Sequence, residues 1–207
     1  MSTETKSKPN ISRIAIAGAG GIGAFLGSFL FDYGAKRGQF DFGGSMVDIF
    51  DDDIVDASNL LHQNFTEDDL GKYKAEIVAD RCLNMITANT RFMTEKDFGS
   101  YDVIFSCVDS MSFRKSLYLY GYDHPELLWI DGRCSSRQMA VYHSKLERKA
   151  LDKAITDSKE RTGCLLAYDK KNKTSHVTPQ IVAGVMTQTF LNFIRGDLQL
   201  DPVVIML

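Results

Sequence analysis

Apolar residues fall in short runs broken by polar turns, and the runs alternate between two periods. Residues 11–17 form an apolar run of the kind that makes a buried strand. Over residues 22–33, Ile22, Phe25, Leu26, Phe29 and Leu30 recur at helical spacing, and Gly34 is placed to end that helix. Residues 46–50 predict a second strand, closed by Asp51, Asp52 and Asp53. Together these make a βαβ unit, with residues 35–45 as a loop inside it. Downstream, the pattern predicts a helix over 71–84 and strands over 84–90 and 101–108. A helix over 112–120 and a strand over 127–130 follow. Residues 138–144 alternate enough to make a strand free to pair antiparallel. Residues 145–162 are highly charged with sparse apolar positions, and read as a solvated helix or a crossover. Residues 176–184 lead into a helix over 181–194, closed by Gly196.

Alternating strands and helices predict a Rossmann-like, doubly wound α/β fold. Its sheet is mainly parallel, with helices on both faces and a few antiparallel strands at one edge. Residues 1–10 are expected to be a disordered tail and residues 11–207 a single domain.

Composition narrows the function. The chain has 207 residues and a net charge of −3, so no broad basic surface points to nucleic acid. No run reaches the ~20 apolar residues of a membrane span, and the polar first ten residues lack the apolar core of a secretory signal. Cys82, Cys107, Cys134 and Cys164 form no C-x-x-C pair, which argues against a zinc knuckle and for reduced thiols in a cytoplasm.

The chemistry begins after the first strand. Gly18, Gly20 and Gly23, with Gly21 between, fit G-x-G-x-x-G at a strand-to-helix junction. The first glycine permits the turn, the second lets backbone approach a phosphate, and the third allows close packing. Free N–H groups and the helix dipole then favour an anion. A glycine-rich turn without a ligand is the plainer reading. Asp51, at the end of the second strand, can bond ribose hydroxyls, or can simply terminate the strand with its neighbours. The ribose contact does not separate ATP from NAD.

The continuation does. Asp51-x-Asp53-x-Val55-x-x-Ser58-Asn59-Leu60-x-x-Gln63 resembles the D-x-D-x-V-x-x-S-N-L-x-R-Q signature of the ThiF/MoeB family, in the superfamily of the ubiquitin-activating enzymes. The resemblance extends to Gly71-x-x-Lys74, to Cys107-x-Asp109 and to the helix before Gly196, covering residues 14–196. It implies an ATP-dependent adenylyltransferase that activates the C-terminal carboxylate of a ubiquitin-like or sulfur-carrier protein, usually ending in Gly-Gly, and that works as a homodimer. By the same resemblance Asp51, Asp53 and Gln63 line the nucleotide site. Asn59 touches phosphate or orders the loop that does, Lys74 neutralises the phosphates, and Asp109 binds Mg²⁺. Taken alone, Lys74 could be a solvent-facing lysine, Asp109 a helix cap and Asn59 a turn residue.

Two departures matter. The signature arginine is His62 here, which lacks the charge and the bidentate fork at pH 7. The arginine that relatives carry on an upstream helix is represented only by Arg13, beside the first strand. A catalytically weak or inactive nucleotide-binding scaffold is therefore the alternative. An NAD(P)-dependent oxidoreductase is a further one, although neither Tyr118 nor Tyr120 is followed by a lysine four residues on. Cys134 is the one candidate for a thioester, against a plain loop cysteine. Cys107 reads as core, and Arg133 and Arg137 could meet an acidic partner tail. The length resembles short stand-alone members of the family.

Overall fold

The computed structural model describes residues 11–40, 44, 46–135, 138–156, 171–172, 175–198 and 201–206. Its strands are β1 (Arg13–Ala17), β2 (Met46–Phe50), β3 (Ile86–Asn89), β4 (Val103–Ser106), β5 (Leu128–Ser135), β6 (Gln138–His143) and β7 (Val203–Met206). Around them lie α1 (Gly23–Phe31), α2 (Lys74–Arg81), α3 (Glu95–Phe98), α4 (Met111–Asp123), α5 (Arg148–Thr156) and α6 (Thr178–Arg195). The strands form one sheet in the order β3-β2-β1-β4-β5-β6-β7. Neighbours from β3 to β5 are parallel, whereas β6 and β7 join antiparallel. This is the expected doubly wound sheet with an antiparallel edge.

Period-two alternation divides the core between the two faces. Ile14, Ile16, Ile49 and Phe105 point into one cluster, under α1, α2 and α6. Ala15, Ala17, Phe50 and Ile104 point into the other, under α3, α4 and α5. The register aligns the strand ends: Ala17 stands opposite both Phe50 and Ser106, and Ser106 opposite Asp131. The loops after β1, β2 and β4 therefore open along one edge, outside the carboxyl ends of the strands, where open α/β sheets bind ligands.

Several elements differ from expectation. Gly34 does not end the first helix. The chain continues through a π-helical turn, Asp32–Lys36, and the left-handed residue is Gly38, with φ +59°. Asp32 holds that turn through ion pairs to Lys36 and Arg37. The helix expected over 71–84 is shorter, because Leu83 and Asn84 turn left-handed at φ 53° and 55°. β5 runs past Ile130 because β6 folds back on it, pairing Ser135 with Gln138. In α5, Leu151 and Ala154 are buried, so the charged segment is not solvated throughout; residues 157–162 lie outside the described residues. The last helix starts at Thr178, with Pro179 in its first turn, and Gly196 closes it at φ +77°. β7 and the single turn α3 had no counterpart in the sequence reading.

Candidate functional site

A cavity of about 1700 Å³ lies along the carboxyl edge of the sheet. The glycine turn forms one end of it. Gly18 takes φ +92°, and its N–H donates to the Phe50 carbonyl at 2.8 Å. A Cβ at Gly23 would sit 1.8 Å from the Gly18 carbonyl oxygen, so only glycine lets the turn close on the start of α1. Gly23 packs the turn and does not line the cavity. Gly18, Gly20 and Gly21 do line it. At Gly20 the nearest atom to a built Cβ is the Gln63 side chain, 3.9 Å away, so backbone is bared to the cavity.

The β2 loop braces this turn. Asp51 is buried, with one oxygen accepting the Ala19 N–H at 2.6 Å and the other the Asp53 N–H at 2.9 Å. Burial pushes its carboxyl above the ordinary value, opposed by those two N–H groups and by the Lys74 charge. Each carboxylate oxygen keeps a further acceptor site. Lys74 opens α2 and is buried, with its Nζ 2.7 Å from Asp53 Oδ2; a solvent-facing lysine it is not. Asn59 is also buried and orders the loop, its side-chain oxygen accepting the Asp56 N–H at 3.0 Å. His62 and Gln63 follow on the same wall, with Nε2 atoms 3.4 Å apart.

Asp109 enters from beyond β4. It is exposed on the cavity wall, and no hydrogen bond or ion pair of its side chain occurs among the described residues. It does not cap α4, because Ser110 Oγ accepts the Phe113 N–H at 3.3 Å. Of the three carboxylates on the wall, Asp51 is occupied by backbone N–H groups and Asp53 by Lys74. Asp109 is the one of the three with no side-chain partner among the described residues, and a free carboxylate is a hard oxygen donor of the kind Mg²⁺ takes. Asp51, Asp53, Asn59, His62, Gln63, Lys74 and Asp109 thus share one cavity with the glycine turn.

A cluster under the cavity went unread in the sequence. Asp131, on β5, is 3% exposed and accepts from Ser106 Oγ at 2.7 Å, Arg114 Nε at 3.0 Å and Arg133 Nε at 2.6 Å. Arg133 also donates to the Ala154 carbonyl at 2.8 Å and covers the Tyr142 ring, so it is tied into the wall. The available signal was a charged residue at the end of the apolar run Leu127-Leu128-Trp129-Ile130. Cys107 lies just past β4, which ends at Ser106; it is half-buried, packs against the core and lines the cavity wall, as does Cys134. Arg13 starts β1 at the amino end, away from the cavity edge, and pairs with Asp48 in the middle of β2 at 3.2 Å. Arg137 and Cys164 lie outside the described residues.

A glycine turn between a buried strand and a helix, at the carboxyl edge of a doubly wound sheet, is the arrangement in which open α/β proteins hold phosphate groups. The model of the ThiF family matches residues 2–204, and the chain belongs to that family. Its fold is similar to that of E. coli MccB in crystals with AMPCPP and MccA, at TM-score 0.68 and 16% identity over 95% of this chain and 60% of that one. PaaA matches at TM-score 0.66 and 18% identity, over 95% of this chain and 61% of that one. TcdA (CsdL) matches at 0.51 and 19%, over 62% and 54%. The chain therefore spans about three fifths of the length of the MccB and PaaA chains. No curated protein matches it in sequence. Family and fold make this a scaffold of the adenylyltransferase type. Among the described residues no helix is long and apolar enough to cross a membrane.

Proposed function

We propose that this protein binds ATP with Mg²⁺ and adenylates the C-terminal carboxylate of a ubiquitin-like or sulfur-carrier protein ending in Gly-Gly, acting as a homodimer. The observation that carries this reading is the single cavity uniting the glycine turn, Lys74 and Asp109. MccB, which shares the fold, has been crystallised with ATP and, separately, with AMPCPP and MccA.

The residues divide the work as follows. The bared N–H groups at Gly20 and Gly21 and the start of α1 receive phosphate oxygens. Asp51 offers its remaining acceptor sites to the ribose. Lys74 exchanges the exposed Asp53 for the phosphates as these enter, lowering the repulsion between an attacking carboxylate and the α-phosphate. Asp109 would hold Mg²⁺, which would supply positive charge to the phosphates and the departing pyrophosphate. No general base is required, because the attacking carboxylate is ionised at neutral pH.

The cavity continues from the glycine turn to Arg133, Lys153 and the β7 residues Val204 and Met206. β1 and β7 are separated by four strand spacings, roughly 19 Å, which about six extended residues would cross. A protein with a flexible C-terminal tail fits that span. His62 favours a second reading, a nucleotide-binding scaffold with little or no turnover. ATP–pyrophosphate exchange separates the two. Exchange that depends on a Gly-Gly-ending partner is expected; tight ATP binding without exchange would leave the scaffold.

A further inference from the structure

The buried cluster around Asp131 reaches the segment that carries Asp109. Arg114, on the first turns of α4, donates from Nη2 to the carbonyl of Val108, the residue directly before Asp109. The same guanidinium donates from Nε to Asp131 Oδ1 at 3.0 Å, and lies 3.5 Å from the Gly132 carbonyl. Asp131 is in turn fixed by Ser106 Oγ at 2.7 Å, on the last residue of β4, and by Arg133 Nε at 2.6 Å. Both partners of the Arg114–Asp131 pair are nearly closed to solvent, with side chains 11% and 5% exposed.

We infer that Arg114 and Asp131 are a positioning pair for Asp109, an assignment that rests on Asp109 holding Mg²⁺ in the reading above. Asp109 is exposed and has no side-chain partner among the described residues, so its direction depends on its backbone. The segment from Cys107 to Ser110 is irregular and spans only the gap from β4 to α4. Arg114 closes that gap from the side, tying the Val108 carbonyl to the rigid β5 strand through Asp131. A guanidinium can serve the carbonyl and the carboxylate together because its donors are held in a planar fork; an ammonium is a point donor and cannot do the same. Groups that orient a metal ligand from behind alter metal affinity by about 10–100-fold when removed. The expected signature is therefore specific. Losing the pair weakens the metal-dependent part of nucleotide binding and spares the part held by the glycine turn.

The test is calorimetric titration of ATP into the full chain across a range of Mg²⁺ concentrations, for Arg114→Lys, Asp131→Asn, Asp109→Asn and the Arg114→Lys/Asp109→Asn double variant. Circular dichroism and thermal melts select the folded variants, and either single variant at the pair suffices. Metal-free ATP affinity should stay within about twofold, while the half-saturating Mg²⁺ concentration rises by about tenfold or more. Because Arg114 acts through Asp109, the double variant should match Asp109→Asn alone, whereas independent effects would add. A folded pair variant with unchanged Mg²⁺ dependence, or additive loss in the double variant, overturns the inference. If Asp109→Asn itself leaves the Mg²⁺ dependence unchanged, the metal assignment fails and takes the inference with it. If only Asp109→Asn shifts it, the positioning role alone fails.

Discussion

Lys74 and Asp53 form an ion pair of 2.7 Å in which the cation is buried and the carboxylate is exposed, their side chains being 7% and 63% accessible. The asymmetry has a mechanical meaning. Asp53 can return to water when phosphate arrives, whereas Lys74 stays in place on the cavity wall. Lys74→Ala should therefore lower pyrophosphate exchange by roughly 10²–10³-fold, the usual loss for one charge-stabilising donor. Asp53→Asn should leave exchange largely intact. It should cost about 1 kcal/mol of stability or less, since solvent screens the pair on the aspartate side. Exchange rates and denaturant melts of both variants check this, and equal losses of exchange would show that Asp53 itself serves the nucleotide.

Gly20 and Gly23 should separate ligand binding from folding. A methyl at Gly23 would overlap the Gly18 carbonyl, with 1.8 Å between centres, so Gly23→Ala should destabilise the domain outright. A methyl at Gly20 meets nothing nearer than 3.9 Å. Gly20→Ala should keep the wild-type melting temperature and lose ATP affinity, because the Cβ stands where a phosphate approaches. Calorimetric binding beside a thermal melt distinguishes the two. Unchanged affinity in Gly20→Ala would place the phosphates elsewhere.

Replacing His62 by arginine should speed adenylation, by up to about 10²-fold if the phosphates gain a charged donor. His62 lies on the cavity wall beside Gln63, so the longer side chain enters the space where phosphates are expected. A slower His62→Arg variant would show that the imidazole has its own role.

Acid stability should report on Asp97. Arg91 beside it holds its carboxyl at about 2, well below the ordinary 3.8, helped by the Thr94 N–H and hydroxyl in the capping box of α3. A carboxyl lowered in the folded state stabilises above its unfolded value and loses that contribution as pH falls from about 4 through about 2. Asp97→Asn should cost about 1 kcal/mol at neutral pH, the usual worth of a cap, and should flatten that part of the acid limb. Denaturation curves between pH 7 and pH 2 measure both. A variant with the wild-type acid limb would place the loss in other carboxylates.

Local pattern carried much of this into view. The β1–α1–β2 unit was legible because strand, glycine turn and helix are each written in consecutive residues, and Met46–Phe50 falls at its expected bounds. The site residues from Asp51 to Gln63 form one continuous segment, and that segment shares the cavity with the glycine turn. What was missed depends on distant partners. Arg114 and Asp131 are 17 positions apart and meet only because β4 and β5 pair in register. β7 takes up four residues of the short apolar run after Pro202, and only its pairing with β6 makes it a strand. α3 has no signal in the apolar pattern although Thr94 and Asp97 carry the capping-box spacing, because a single helical turn shows no periodicity. Gly34 was misassigned because a π-helical turn cannot be told from a helix end by apolar spacing.

The change from parallel to antiparallel pairing at β5 has a further consequence. The glycine turn, the β2 loop and Asp109 all hang from the parallel half, while the far end of the cavity rests on the antiparallel strands β6 and β7. The molecule is thus divided by a seam, with one strand common to both sides. The antiparallel strands beyond that seam can be lengthened, recut or exchanged without shifting a single rung of the strands that carry the glycine turn and the β2 loop. Under the proposed function, such a layout would let the choice of partner protein diversify while the handling of nucleotide stays the same.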